Sequence, residues 1–464
     1  MDSTAKTSRS GQAENVLTAL PHPTSKFTYF AAILFLIFCT QPATRVLTAT
    51  TSDSQTDTVA VAFQALAYAM ILLAFSAEWK ALIRQTLSRR IFWILVLNAV
   101  ALVSALWSDL PGLTFRRAIL LFVNTAIAVG FTTRFSFDRQ MKLLAYVFVG
   151  VLWCSLIAVL FVPAYGVMGL GYDSSLQGTW RGIWEHKNIL GRYCALASLI
   201  FIFRYFTTRK TVWLLNTVLA LVLLLGSQSK TALLVLLLVL AAISTFRIGV
   251  KRPKATIAFL AASTGWLIWY ISQHLYELVD YLGRNMSLTG RIPLWFAGIS
   301  LGLRRNPWLG YGFNDFWRGR EGDSLLVWRF VRWPAPNIHN GFLDLWLVLG
   351  FVGLSVFLIC HAITVVRALR WQMKQPSLRT LWYVTFLTYF TLENFAESVA
   401  VNYSSLMWIL YVSVAYQVYE VVLLKQGSPD SRNDAQRQRP SFASDKVRNI
   451  GKTGIGNTSP ELMG

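Results

Sequence analysis

Apolar residues along the chain gather into blocks separated by short polar connections. Crossing the hydrocarbon core takes roughly 20 apolar residues in a helix, and twelve blocks approach that length: 27–45, 58–77, 90–108, 117–133, 141–163, 187–206, 211–228, 230–247, 255–276, 339–366, 378–396 and 403–424. The pattern predicts an all-α polytopic integral membrane protein with about 12 transmembrane helices. The first block follows 26 mostly polar residues, a long leader for a cleavable signal, so it is expected to be a retained helix. The chain divides accordingly into an N-terminal segment 1–26, a membrane domain 27–424 and a tail 425–464. The tail mixes Gly, Ser, Asn, Asp, Arg and Gln with almost no apolar residues and reads as a disordered cytoplasmic extension.

Charge fixes the expected orientation. The 464 residues hold 43 Lys+Arg against 22 Asp+Glu, a net charge of +21, although only 14% are charged and 55% are hydrophobic. Soluble proteins average about 25% charged residues, so a soluble globule is excluded, and the apolar content excludes a disordered chain. A basic excess fits either nucleic acid or a membrane, and the positions decide. Lys and Arg in short loops stay cytoplasmic. Alternate connections place eighteen of them on one side, Lys80, Arg84, Arg89 and Arg90 among them, whereas the short loops opposite hold only Arg45, Arg116, Arg117, Arg181, Lys187 and Lys230. Both termini are therefore expected inside. The tail's charges are mixed, which argues against a nucleic-acid partner.

One connection departs from this rule. The stretch 277–338, external by count, carries Arg284, Arg291, Arg304, Arg305, Arg318, Arg320, Arg329 and Arg332 among Trp295, Trp308, Trp317, Trp328 and Trp333. Loops this long are functional or disordered, and the aromatic content argues for function. Ile292, Trp295, Phe296, Ile299 and Leu303 recur at helical spacing from a start at Thr289, which predicts a short helix lying in the membrane surface with Arg291 near its N-terminus.

Candidate chemistry clusters on the same face. His339 sits in Pro-Ala-Pro-Asn-Ile-His-Asn-Gly where the long loop re-enters the membrane, and a His at such a boundary can exchange protons near neutral pH. The alternative is that His339 and Asn340 only cap the following helix, and the residues themselves leave both readings open. A second cluster is Trp180-Arg181-Gly182-Ile183-Trp184-Glu185-His186-Lys187-Asn188, with Arg192 one turn on. A third is the turn Gly226-Ser227-Gln228-Ser229-Lys230-Thr231. A phosphate-loop reading of that turn fails because Ser229 and Leu224 stand where the motif needs Gly. Lys230 is nevertheless a cation at the membrane surface, suited to an anionic headgroup. Glu393 and Glu397, four residues apart near the outer end of a helix, are expected to partner the external Arg cluster rather than carry protons.

Absences narrow the class. No Asp-x-Asp occurs, and Cys39, Cys154, Cys194 and Cys360 all lie inside apolar blocks, so neither a metal site nor a disulfide is expected. Ion-coupled transporters place carboxylates mid-span, and few ionisable residues fall there.

Taken together, Thr-Gly-Arg-Ile-Pro-Leu-Trp (289–295), Asn-Pro-Trp-Leu-Gly-Tyr-Gly (306–312) and His-Asn-Gly-Phe-Leu-Asp (339–344) resemble the core of the O-antigen ligase and Wzy-type polymerase superfamily. Gly-Ile-Trp-Glu-His-Lys-Asn (182–188), Ser-Gln-Ser-Lys-Thr (227–231) and Trp-Ser-Asp-Leu-Pro (107–111) are similar to further blocks. In order and spacing the set is most like the exopolysaccharide polymerases of the ExoQ type. The resemblance implies metal-independent glycosyl transfer without a cofactor, at the periplasmic face of the bacterial inner membrane. The donor it implies is a sugar chain linked through pyrophosphate to a polyprenyl lipid. It also implies His339 and Arg291 as catalytic residues, His339 as general base and Arg291 as main pyrophosphate clamp. Arg181 and Lys230 stand at matching basic positions, Lys230 where relatives commonly have Arg. Lys187, Asn188 and Asn340, in the same blocks, are expected among the substrate contacts, and loop tryptophans such as Trp317 and Trp333 as sugar-stacking platforms. A chain-length regulator and export machinery are the expected partners. Two other functions compete: an O-antigen-type ligase that moves a finished glycan to another acceptor, and a flippase for lipid-linked sugars.

Overall fold

The computed structural model describes residues 25–42, 58–169, 176–251, 269, 273 and 291–426. The expected block 255–276, the Thr289 start of the surface helix, residues 1–24 of the N-terminal segment and residues 427–464 of the tail lie outside them. The chain divides into two units, Met1–Glu420 and Val421–Gly464, and the first contains the candidate site and every helix below up to residue 420 of the last.

Among the described residues the fold is all helical, without strands. The other eleven apolar blocks each coincide with a helix, because a run of apolar residues with no water to bond its backbone must satisfy every N–H and C=O internally. In chain order the described helices are α1 (Lys26–Cys39), α2 (Thr58–Phe75), α3 (Trp79–Thr86), α4 (Phe92–Val103), α5 (Pro111–Arg134), α6 (Phe137–Phe161), the short α7 (Pro163–Gly166), α8 (Lys187–Thr208), α9 (Val212–Gly226) and α10 (Lys230–Lys251). There follow α11 (Arg291–Arg305), α12 (Gly322–Val331), α13 (Gly341–Lys374), α14 (Leu378–Ala396) and α15 (Leu406–Gln426). Among the described residues seven helices are long and apolar enough to cross a membrane: Ala62–Thr86, Arg89–Leu106, Pro111–Arg134, Phe137–Phe161, Lys187–Thr208, Lys230–Gly249 and Gly341–Lys374.

The expected surface helix is present as α11, but its faces are divided differently from the spacing argument. Ile292, Phe296 and Leu303 are exposed as expected, whereas Leu294, Ala297 and Gly298 are buried against the protein. Trp295 turns inward, and its indole N–H donates to the Ile338 carbonyl at 2.9 Å. An indole has one polar atom to satisfy when it packs, and here that atom ties α11 to the segment carrying His339.

The motif 306–312 has a structural task. Helix α13 is interrupted at Gly350, where φ is 63° and ψ −169°, a region open essentially to Gly alone. The break leaves backbone groups without helical partners, and the motif supplies them. Tyr311 and Gly312 N–H donate to the carbonyls of Leu347 (3.1 Å) and Val348 (2.9 Å), while Phe351 and Val352 N–H donate to Pro307 (2.9 Å) and Trp308 (3.2 Å). Trp346 and Trp107 add indole bonds to Pro307 and Leu309.

The block 107–111 anchors the next stretch of the loop. Asp315, fully buried, accepts through Oδ2 from Ser108 Oγ (2.8 Å), Asp109 N (2.9 Å) and Arg318 Nη2 (2.9 Å). Asp109 in turn pairs with Arg318 and Arg305. Burial works against its charge, but those guanidiniums hold its carboxyl below the usual range. Asp315→Ala would leave Arg318 to Asp109 and Ser108 to Thr114 and remove the carboxylate that ties both to the loop, a change that costs about 1.5–3 kcal/mol, as loss of a hydrogen bond to a charged group does. The expected result is a clear drop in thermal stability in detergent, with earlier proteolysis in 306–330; an unchanged melting curve would show that the loop does not depend on this anchor.

Candidate functional site

Three of the sequence blocks meet at one carboxylate. Glu397 follows α14 in extended backbone (φ −148°, ψ 156°), which swings its side chain out of the helix row that carries Glu393. Its Oε2 lies 2.8 Å from His339 Nδ1, and its Oε1 accepts from Arg291 Nη2 and from Asn188 Nδ2, both at 3.0 Å. Arg192, one turn beyond Asn188 on α8, reaches Glu397 Oε2 at 3.6 Å and binds Glu393 Oε1 through Nε at 2.9 Å. Asn188 also accepts from Ser229 Oγ at 3.3 Å, so the turn before α10 joins the same network. The expectation that Glu393 and Glu397 partner the Arg cluster matches this geometry.

Local structure holds His339 in place. Its φ is +51°, a left-handed conformation His visits more readily than most side chains but rarely. Asn337 Oδ1 accepts its backbone N–H at 2.9 Å, and the Trp295 indole fixes the preceding carbonyl. The two residues considered together as caps separate here. Asn340 is the N-cap of α13, its Oδ1 accepting from Phe342 and Leu343 N–H at 3.1 Å each, as Asn at this position commonly does. The His339 ring takes no part in the cap, points to Glu397 and lies 5.8 Å from the Trp333 ring.

Protonation follows from this arrangement. Burial alone would raise the Glu397 carboxyl, but the hydrogen bond from His339 and the charges of His339, Arg192 and Arg291 outweigh it and bring it down to about 2. Its contribution to stability is therefore complete above the ordinary carboxylate range and is lost as pH falls toward 2. An ionised carboxylate only accepts hydrogen bonds, so His339 Nδ1 must carry a proton. In the neutral ring that leaves Nε2 as the lone-pair nitrogen, the arrangement in which a carboxylate orients a catalytic imidazole. His186, the N-cap of α8, accepts from Asn188 N–H through Nδ1 at 3.2 Å. Burial brings it down to about 4, which keeps it neutral as a cap; its contribution is present above its ordinary 6.5 and fades as pH falls toward 4.

The remaining cations divide into committed and uncommitted. Arg192 and Arg291 are matched by Glu393 and Glu397. Lys187 and Lys230 begin α8 and α10 and act on one another electrostatically, and neither forms an ion pair with any described residue. Arg181 stands apart from the network: its Nε donates to the Tyr165 carbonyl at 2.6 Å and its guanidinium lies 5.5 Å over the Tyr165 ring. The loop tryptophans are also divided. Trp295 and Trp328 are hydrogen-bonding posts, to Ile338 and Ala335, while Trp317 donates to Asp344 at 2.7 Å. From sequence Glu397 reads as a supporting partner and Arg192 as a cation one turn past Asn188 with no assigned task; the signal for both is the i,i+4 carboxylate pair opposite that Arg.

The class is a helical membrane protein, with seven helices of membrane length among the described residues, and its candidate site is a carboxylate-paired imidazole with two arginines on the same carboxylates. Residues 215–358 match the family model described as O-antigen ligase, which supports the ligase and polymerase superfamily for that part of the chain. The match takes in Lys230, Arg291 and His339 and ends before Glu397. No curated protein matches the chain.

Proposed function

We propose that the protein polymerises polyprenyl-pyrophosphate-linked oligosaccharide repeat units into exopolysaccharide at the periplasmic face of the inner membrane. The observation that carries the reading is the Glu397–His339 pair at 2.8 Å, with Nε2 left to accept a proton and with Arg291, Lys187 and Lys230 around it. His339 Nε2 takes the proton of an acceptor sugar hydroxyl as its oxygen bonds to the anomeric carbon of the donor. The bond from that carbon to the pyrophosphate oxygen breaks, and polyprenyl pyrophosphate leaves with the electron pair. The proton on His339 then passes to water.

Negative charge develops on the leaving group, and fixed donors aimed at such charge contribute about 3 kcal/mol each. Lys187 and Lys230 are suited to that role because no carboxylate of a described residue pairs with them. Arg291 keeps Nη2 on Glu397 and has further N–H groups for the same phosphate edge. Arg181 belongs to the outer approach, and Asn340 acts by fixing the start of α13 beside His339.

The description of the matched family favours a second reading, transfer of a finished glycan to another acceptor, with the same chemistry. A deletion strain of the native host separates them. Single repeat units retained on lipid with loss of high-molecular-weight polymer is the expected result, whereas long polymer left on the carrier indicates a ligase. Complementation with His339→Ala is expected to reproduce the deletion. Polymer of normal length at normal protein level would refute both readings.

A further inference from the structure

A cavity of about 260 Å³ lies behind the segment that carries His339, and neither the proton transfer nor the phosphate sites use it. Its walls include Arg117, Asn314, Trp317, Asn337, Asp344 and Tyr403. We propose that this cavity binds the terminal sugar of the acceptor chain, with Asp344 and Trp317 as its recognition pair; the assignment rests on the glycosyl transfer described above.

Three observations carry it. The first is position. Asn337 holds the His339 N–H, Gly341 follows the cap of α13, and Ser398 follows Glu397; all three line the cavity. A sugar seated there lies against the residues on either side of the base. The second is chemistry. Asp344 Oδ1 accepts from the Trp317 indole at 2.7 Å, and its carboxylate lines the cavity with lone pairs to spare. Adjacent sugar hydroxyls are the donors such a carboxylate takes. Arg117, which donates to the Asn314 carbonyl and lies 5.9 Å over the Tyr403 ring, and the side chains of Asn314 and Tyr403 complete a polar rim. The third is charge. The wall holds one carboxylate, Asp344, and one guanidinium, Arg117, so it offers pyrophosphate no net positive charge, whereas Lys187 and Lys230 do, and a neutral sugar is accepted here. The volume approaches the lower end of small-molecule sites, about 300 Å³, enough for the end of a chain but not for a whole repeat unit with its lipid.

The test uses the full chain in nanodiscs and, as probe, the radiolabelled oligosaccharide released by mild acid from the host's lipid-linked repeat units. Wild type is expected to bind it in equilibrium dialysis, and Asp344→Asn and Trp317→Phe to weaken binding about tenfold or more, as loss of a hydrogen bond to a charged group does. With the oligosaccharide as acceptor, KM for acceptor should rise by the same factor while KM for the lipid-linked donor stays unchanged. Should Asp344→Asn not fold, Arg117→Gln probes the same rim. Unchanged binding in all the folded variants, or a donor KM that rises with the acceptor KM, overturns the assignment. Transfer that depends on His339 with binding unaffected by these variants removes the cavity and keeps the reaction. Binding that Asp344→Asn abolishes, in a wild type that transfers nothing, removes the reaction and keeps the sugar site.

Discussion

Glu397→Gln is expected to lower kcat by about 10²–10⁴-fold, the range over which positioned general bases and their carboxylate partners act. Gln has nearly the same shape, so the side chain still reaches His339, but its amide can present N–H as readily as C=O. The tautomer with the proton on Nδ1 is then no longer enforced, and Nε2 is no longer kept as the lone-pair nitrogen. The same substitution leaves Arg291 without its carboxylate and Arg192 with Glu393 alone. The Arg291 guanidinium becomes available to the phosphate, so donor KM is expected to stay level or fall while kcat collapses. That split separates loss of an oriented base from general damage, which would raise KM as well. Glu397→Asp keeps the charge but shortens the reach and should recover part of kcat. Kinetics of the reconstituted protein with lipid-linked donor give both quantities, and a Glu397→Gln enzyme within threefold of wild type would mean that His339 does not rely on this partner.

Much of this architecture was legible in the sequence, for identifiable reasons. Eleven apolar blocks and helices coincide because hydropathy and backbone satisfaction demand the same thing of a segment in lipid. Asn188, Lys230, Arg291 and His339 stood out because polar residues at the ends of apolar blocks are few. Glu397 was visible as half of an i,i+4 pair, yet its central place was not. It lies 58 residues from His339 and 209 from Asn188, and spacing rules reach only one or two helical turns. The service rendered by 107–111 was hidden for the same reason, since Ser108 and Asp315 are 207 residues apart. Asn340 and His339 show the opposite limit. Adjacent residues of similar capping chemistry took different tasks because one φ of +51° turns the ring away from the helix start, and part of what holds the segment there, the Trp295 indole on Ile338, lies 43 residues away.

The interruption of α13 carries the other large effect. Block 339–366 reads as continuous apolar helix, and the Gly within it is tolerated by hydropathy without announcing a break. Gly350→Ala is expected to destabilise the protein by at least about 3 kcal/mol. A side chain at such φ and ψ costs of order 1–3 kcal/mol by itself, and here the added Cβ would fall 2.1 Å from the Trp308 carbonyl carbon and oxygen. Those atoms are backbone and cannot rotate aside. The motif 306–312 must therefore move off the helix, which breaks the four backbone bonds it makes with residues 347–352. In lipid those groups have no water to turn to. Gly178→Ala is the control, because its φ is also positive, +76°, but nothing lies within 4 Å of the added atom. The two should differ: Gly178→Ala costs only the backbone strain of about 1–2 kcal/mol, while Gly350→Ala lowers the melting temperature in detergent further and reduces the yield of monodisperse protein. Equal effects would show that the positive φ alone is responsible and that docking of 306–312 on the break adds nothing. Because the break lies within the helix whose first residue follows Asn340, the same substitution is expected to abolish transfer even in the fraction that remains folded, by shifting the cap and with it the segment that presents His339 to Glu397.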